Sequence, residues 1–308
     1  MHIAVLGNAG SWYVADLQRA ATARGDRCTR MDYRQLTARV VDRNASAIEN
    51  QKSKIENPPS PPSLASPQGD LTACDAVLVR TMPPGSLEQV VFRMDALLTL
   101  ESQGVEVVNP PKAVECAVDK YLCTARLSAA GLPTPETIVC EDSDTALAAF
   151  EELGGDVVVK PIFGSEGRGI LRVSDPDLAL RTFRTLERID AVLYLQRFVE
   201  HEGFDVRVLL LDGRVIGGMK RTNPLDFRTN VARKARTEVH GVSEREAELA
   251  LRAASCIGAR FAGVDLLYDR RGECYVIEVN AVPGWKAFQR TTGIDVAAEL
   301  LTALRHSV

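Results

Sequence analysis

The sequence is short of nearly everything that marks a thiolate-metal, disulfide-stapled, membrane or nucleic-acid-binding protein. Its seven cysteines lie at 28, 74, 116, 123, 140, 256 and 274 of 308 residues, with no C-x-x-C pair. An odd count at that spacing excludes a zinc knuckle or a disulfide framework and fits reduced, buried thiols. Histidine occurs at 2, 201, 240 and 306 alone, too sparsely for a Ser/His/Asp or Cys/His arrangement to suggest itself. No run approaches the ~18 apolar residues of a membrane span. The opening MHIAVLG has no basic stretch or cleavage site and reads as a first strand, so a cytoplasmic protein is expected. Against a net charge of −4 no block of Lys and Arg stands out, which argues against a nucleic-acid partner. Two nucleotide fingerprints are missing as well. There is no G-x-x-x-x-G-K-[ST], and "GNAG" at 7–10 fails the dinucleotide spacing with no acidic residue at a strand end ~20 positions on.

What is present divides into modules, as 308 residues with 45% hydrophobic content would suggest. Strands at 2–6, 27–31, 76–80 and 105–108 alternate with helices at 11–23 and 87–103, which implies a parallel, Rossmann-like sheet over residues 1–110. A Pro/Ser-rich stretch, 50–70, reads as the core of a mobile surface loop covering about 45–70. Asn109-Pro110-Pro111 marks the first boundary. Beyond it the texture becomes α+β, with strands at 157–160, 170–173 and 192–196, a hairpin turning at Asp212-Gly213, and a helix at 243–258. Residues 111–200 and 201–308 are taken as two further subdomains.

Four stretches carry chemistry. In "GVDLLYDRRGECYVIEVN", residues 263–280, a two-residue turn at Arg271-Gly272 places Asp265 opposite Glu278, with Asn280 on the same side. Opposed carboxylates repel unless a cation sits between them. Two carboxylates and an amide oxygen suit Mg²⁺; the alternative is a wet sheet face. In "VVVKPIFGSEGRGI", Lys160 ends a β-branched strand before a loop carrying Gly164, Gly167 and Gly169. That combination offers backbone N–H groups and a point charge to a phosphate, or is an ordinary turn. In "YLQRFVEHEGFDVRVLLL", the segment from Gln196 to Val199 could read an adenine edge and Asp205 could accept from ribose, or pair with Arg207. In "GGMKRTNPLDFRTNVARKAR", cations at 220, 221, 228, 233, 234 and 236 could serve a transferring phosphate and an acidic substrate, or form a solvated basic loop.

Taken in order, "DK" at 119–120 and these four stretches resemble the RimK-like carboxylate–amine ligases of the ATP-grasp superfamily, over residues 115–298. The resemblance implies a pre-ATP-grasp α/β domain followed by a two-subdomain ATP-grasp fold, with nucleotide held between antiparallel sheets. It implies ATP and Mg²⁺, two ions with Mn²⁺ able to substitute. Lys120 and Lys160 would contact the phosphates, and the loop of Gly164, Ser165, Gly167 and Gly169 would close over them. Gln196, Arg197 and Phe198 would form the adenine hinge, and Asp205 the ribose-side carboxylate. Arg228, Thr229 and Asn230 would also approach nucleotide, and Asp265, Glu278 and Asn280 would hold magnesium. The hinge departs from the family in having Arg197 where Glu is common. Trp285-Lys286 after Pro-Gly looks closer to glutamate ligases of pterin-linked one-carbon coenzymes, tetrahydromethanopterin:glutamate ligase among them.

The implied chemistry is a substrate carboxylate attacking the γ-phosphate of ATP, then displacement of phosphate from the acyl phosphate by an amine such as glutamate's. Arg207, Arg221 and Arg228 are the candidate catalytic cations, the first two on the acyl-phosphate and carboxylate side. Small-molecule acid and amine substrates are expected, with neither membrane nor nucleic acid, and a homodimer or homotetramer is compatible with the resemblance. The rival readings are an amino-acid ligase acting on a protein or carrier peptide and a non-catalytic ATP-binding regulatory module. A nicotinamide oxidoreductase is a further option that already fails on glycine spacing.

Overall fold

The computed structural model describes residues 1–40, 62–164, 167–224, 226–229 and 235–305. It divides into two compact units, Met1–Pro111 with Asp295–Val308, and Lys112–Ile294. The first unit begins β1 (His2–Leu6), α1 (Trp12–Ala23), β2 (Arg27–Met31), β3 (Thr37–Arg39), β4 (Ser63–Ser66), β5 (Gly69–Asp70), β6 (Ala76–Val79), α2 (Leu87–Ser102), β7 (Glu106–Val108). Its main sheet is parallel, in the order β2-β1-β6-β7. Residues 3–6 and 76–79 are buried, as continuous apolar strands covered on both faces must be. The expected mobile loop is in part ordered: β4 and β5 form a small antiparallel sheet with β3. Leu64 is buried there, and its carbonyl accepts from the Leu71 N–H at 2.8 Å. Residues 45–61 of that loop lie outside the described residues.

The second unit begins with α3 (Pro111–Val118), α4 (Lys120–Ala129), β8 (Thr137–Cys140), α5 (Ser143–Glu152), β9 (Val157–Lys160), β10 (Leu171–Val173), α6 (Pro176–Glu187) and β11 (Leu193–Arg197). It continues with β12 (Phe204–Leu211), β13 (Arg214–Thr222), β14 (Arg236–His240), α7 (Glu244–Ile257), β15 (Phe261–Tyr268), β16 (Cys274–Asn280) and α8 (Lys286–Thr292). A four-stranded antiparallel sheet, β10-β9-β11-β8, is backed by α5 and α6, whose Phe150 and Phe183 rings meet edge to face at 6.4 Å. A five-stranded antiparallel sheet follows in the order β14-β13-β12-β15-β16. One face buries Val206, Val208, Val264 and Leu266 against Leu249 and Ala253 of α7, and also against Cys123 and Leu127 of α4. By packing, α3 and α4 therefore belong with this larger sheet rather than with the 137–197 sheet, although the sequence reading grouped 111–200 together.

Local signals set the edges. Asp212 and Gly213 take φ of 46° and 71° between β12 and β13, the pair of positive values that the two-residue Asp-Gly turn demands. Helix α7 starts with a reciprocal cap between Ser243 and Glu246 and stops at Gly258, φ 75°. The chain then returns to the first unit, where α9 (Val296–Arg305) lies beside α1. Arg24 donates to Thr302 Oγ1 at 2.6 Å, and Arg19 bridges Asp16 and Asp295. The last residues were expected in the third subdomain; their partners place them in the first unit.

Gly218 on β13 lies where no side chain fits: a Cβ there would stand 2.6 Å from Val242 Cγ2 and 2.8 Å from the His240 carbonyl oxygen. Gly218→Ala should cost about 1–3 kcal/mol and lower the thermal midpoint. Gly241→Ala, where a Cβ meets nothing within 4 Å, should leave it in place.

Candidate active site

The site grows out of strand register. Asp265 on β15 is paired with Glu278 on β16, and Gly263 with Asn280, so the three oxygen-bearing side chains leave one face of the sheet. The expected two-residue turn is not what produces this. The tip is the loop Asp269–Glu273, closed by the Asp269 carboxylate accepting from the Arg271 and Glu273 N–H groups at 2.8 and 2.9 Å. That loop pairs Leu266 with Val276, and a bulge at Ile277 then restores the alignment of Asp265 with Glu278.

The same face carries a row of charges across neighbouring strands. Arg221 pairs with Asp205, and Arg207 with Asp265, as direct cross-strand neighbours. Arg207 grips Asp265 through Nε and Nη2, both at 2.7 Å. Arg221 donates Nε to Asp205 at 2.6 Å and reaches Asp265 with Nη2 at 2.9 Å, while Thr229 donates its hydroxyl to Asp205. Burial alone would raise the Asp265 carboxyl, but Arg207 and Arg221 outweigh it and bring its pKa down to about 2. Burial alone would likewise weaken the Arg221 cation, and Asp265 and Asp205 hold it above its ordinary value instead. A Cβ at Gly263 would meet Arg207 Nε at 3.5 Å, an ordinary contact, and crowd Pro283 Cβ at 3.1 Å.

Opposite stand two lysines. Lys160 at the end of β9 is buried, and its ammonium donates to Gln196 Oε1 at 2.6 Å. The Gln196 amide is itself fixed, donating to Thr137 Oγ1 at 3.0 Å and Tyr194 Oη at 3.2 Å. Desolvation lowers the Lys160 pKa to about 8, opposed by Glu278 and assisted by Lys120. Lys120, at the start of α4, is lowered by the same desolvation and donates to the Gly164 carbonyl at 2.9 Å.

One open cleft, with about 1110 Å³ of free space including solvent at its mouth, gathers most of the expected residues. Lys120, Lys160, Gly164, Gly167, Gln196, Arg197 and Phe198 line it, and so do Asp205, Arg228, Thr229, Asp265 and Glu278. Gly169, Arg207, Arg221 and Asn280 are not among its lining residues, and Ser165 and Asn230 lie outside the described residues. Arg221 is enclosed by two carboxylates, so its contacts offer a bridge beneath the cleft and not the substrate-side role expected of it. The hinge also differs in detail. The Arg197 and Phe198 N–H groups already donate to the carbonyls of Glu136 and Asp156 at 2.8 and 2.9 Å, so they are spent within the protein, and Val199 beyond them lines the cleft. The Arg197 side chain points away to Glu136, 3.7 Å off. Sequence reasoning missed Thr124, Tyr194, Phe227 and Ile277, all of which line the cleft. Apolar and hydroxyl residues, whether on a helix like Thr124, in a loop like Phe227 or in a strand like Ile277, carry no signal of this; only the odd-even phase of β11 could have placed Tyr194 beside Gln196.

Residues 117–304 match the model of the RimK-like ATP-grasp domain. The chain belongs to this family. Among its relatives, the tetrahydromethanopterin:alpha-L-glutamate ligase of Methanosarcina acetivorans is 31% identical over 264 residues, covering 77% of this chain and 81% of its own. A probable alpha-L-glutamate ligase of Haemophilus influenzae is 30% identical over 248 residues, 80% of this chain and 78% of its own. Among solved structures, the ATP-grasp ligase PsnB with a minimal precursor superposes with a TM-score of 0.74 at 23% identity, over 100% of this chain and 99% of that one. The D-alanine–D-alanine ligase of Bacillus anthracis with ATP gives 0.68 at 18% identity, over 99% and 96%. These two likenesses are of fold, and the mixed α/β architecture with antiparallel sheets stands with them. This RimK-like protein is an ATP-dependent ligase. Asp265, Glu278 and Asn280 have the chemistry to suit a magnesium ion: the donor set is all oxygen, and Asn280 Oδ1, accepting once from the Val282 N–H at 2.8 Å, keeps a second lone pair. Among the described residues no helix is long and apolar enough to cross a membrane.

A buried lysine with a pKa of about 8 is ammonium below that pH and neutral above it. Polyphosphate favours the ammonium, so nucleotide binding at pH 8–9 should take up a proton, and affinity should fall as pH rises through this range. Calorimetry in two buffers of different ionisation heat checks it. Lys160→Met should abolish the uptake and weaken binding about 10- to 100-fold, the worth of a charged hydrogen bond.

Proposed function

We propose that this ligase joins glutamate, through its α-amine, to the carboxylate of a small pterin-type coenzyme, with release of ADP and phosphate. The observation that carries the ligase chemistry is the facing of two lysines against the Asp265–Glu278 pair across one cleft. The glutamate assignment rests on the relatives' names. A regulatory module without turnover has no use for so complete a set of charges.

In this reading Lys120 and Lys160 bind the nucleotide phosphates, and Gly164 and Gly167 bring backbone close to them. The hinge carbonyls of Arg197 and Phe198 read adenine, and Asp205 faces the ribose. The substrate carboxylate oxygen attacks the γ-phosphorus as the bond to the β-phosphate oxygen breaks, and ADP leaves. The glutamate amine then attacks the acyl carbon, phosphate departs, and the amine gives up a proton as the amide forms. Arg207, whose Nη1 is not used on Asp265, stands to steady the acyl phosphate, and Arg228 the transferring group. Arg221 keeps Asp205 and Asp265 in register. Asp265, Glu278 and Asn280 would hold magnesium, two ions or manganese in their place, which when bound offsets phosphate charge. Ser165 and Asn230 keep their expected nucleotide roles. The reading includes a cytoplasmic location, a dimer or tetramer, no nucleic-acid partner, and two ATP-grasp subdomains meeting near residue 200.

The test is ADP release from Mg-ATP with glutamate and a panel of pterin and other small acids, beside Glu278→Gln. Turnover should require both acid and glutamate, yield a product heavier by one glutamyl residue, and vanish in the variant. Release with a peptide acid, or with an amine other than glutamate, would replace the substrate assignment while leaving the ligase class intact.

A further inference from the structure

Beyond β13 the chain carries a pair that none of the roles above employs in full. The Asp226 carboxylate accepts from the Arg228 N–H at 2.9 Å and from Arg228 Nε at 3.0 and 3.1 Å, and its second oxygen accepts from Nη2 at 2.7 Å. One carboxylate thus fixes both the backbone and the guanidinium of the same residue. The Arg228 carbonyl accepts from Asn223 Nδ2 at 3.1 Å. With Nε and Nη2 committed, Nη1 is the edge left over. It lies 3.4 Å from the carbonyls of Gly167 and Ile170, in the glycine-rich turn after β9. The next residue, Thr229, is tied to Asp205. Arg228 lines the cleft, while Asp226 is not among its lining residues.

We infer that Asp226 is a positioning residue for nucleotide binding. It locks the Arg228 fork so that Nη1 straps the glycine-rich turn to the loop after β13, across the nucleotide cleft. Arg228 then meets the phosphates already ordered. A long side chain left free would have to be immobilised on binding, a cost equal to about 2- to 10-fold in affinity. The pair is a fifth to a quarter exposed, with side-chain accessibilities of 22% and 24%, so its share in global stability is small and the effect belongs to binding.

This inference rests on the ATP-ligase reading, and a double-mutant cycle on magnesium and a non-hydrolysable ATP analogue separates the two. Dissociation constants are measured for the full chain and for Asp226→Asn, Arg228→Ala and the double variant, with thermal midpoints alongside. Asp226→Asn should weaken binding about 2- to 10-fold with the midpoint unmoved, and should change nothing further in the Arg228→Ala background. Unaltered affinity in Asp226→Asn, or an equal loss in both backgrounds, overturns the positioning role. Failure of the unmodified chain to bind the analogue would sink the ligase reading itself.

Discussion

The second unit is organised by an alternating line of charge laid across its larger sheet: Asp205, Arg221, Asp265, Arg207. Two anions and two cations cancel within the line, which is why it can be buried at all. Each member is a direct cross-strand neighbour of another, so strand register and charge pairing specify one another. Removing one partner would leave a buried charge uncompensated, at about 3–5 kcal/mol, and would release a register that the strands' apolar face alone holds less strictly. Glu278 stands just beyond the end of the line and adds the one negative charge that it does not balance. The lysines across the cleft are what that surplus faces.

The two lysines work under the opposite constraint. Among the described residues no carboxylate lies in hydrogen-bond reach of either, and they donate instead to the Gln196 amide oxygen and to the backbone carbonyls of Ile162 and Gly164. Such neighbours orient an ammonium without neutralising it. The lowered Lys160 pKa is the signature of that choice: desolvation is tolerated so that the charge stays available to an anion.

Much of the fold was legible because its signals are local. The parallel strands of the first unit read as unbroken apolar runs, Asp212-Gly213 as a tight turn and Gly258 as a helix stop. The site was legible in its residue types, Asp265, Glu278 and Lys160 above all, because charged groups at the ends of apolar strands are costly and so conspicuous. What escaped depends on tertiary partners. Arg221 reads as part of a basic loop until the strand opposite presents Asp205. The order in 63–70 comes from the burial of Leu64, and α9 goes to the first unit through Arg19 and Arg24, nearly three hundred residues earlier in the chain. Backbone commitments at Arg197 and Phe198 leave no mark on a sequence at all.

The Ile277 bulge gives the hairpin a property of a vernier. Asp265 and Glu278 were expected to face each other through a short turn, and they do so through a longer tip and a compensating offset. The tip and the end that carries Asp265 and Glu278 are thereby decoupled. Between them lies a joint that can absorb one residue, so loop length at the solvent end can drift among descendants of this chain while the oxygen donors stay aligned. Without the joint, a single inserted residue at the tip would rotate Glu278 and Asn280 into the apolar layer beneath α7. Variation is thus channelled to the outer end of the hairpin, and the end that opens on the cleft is insulated from it.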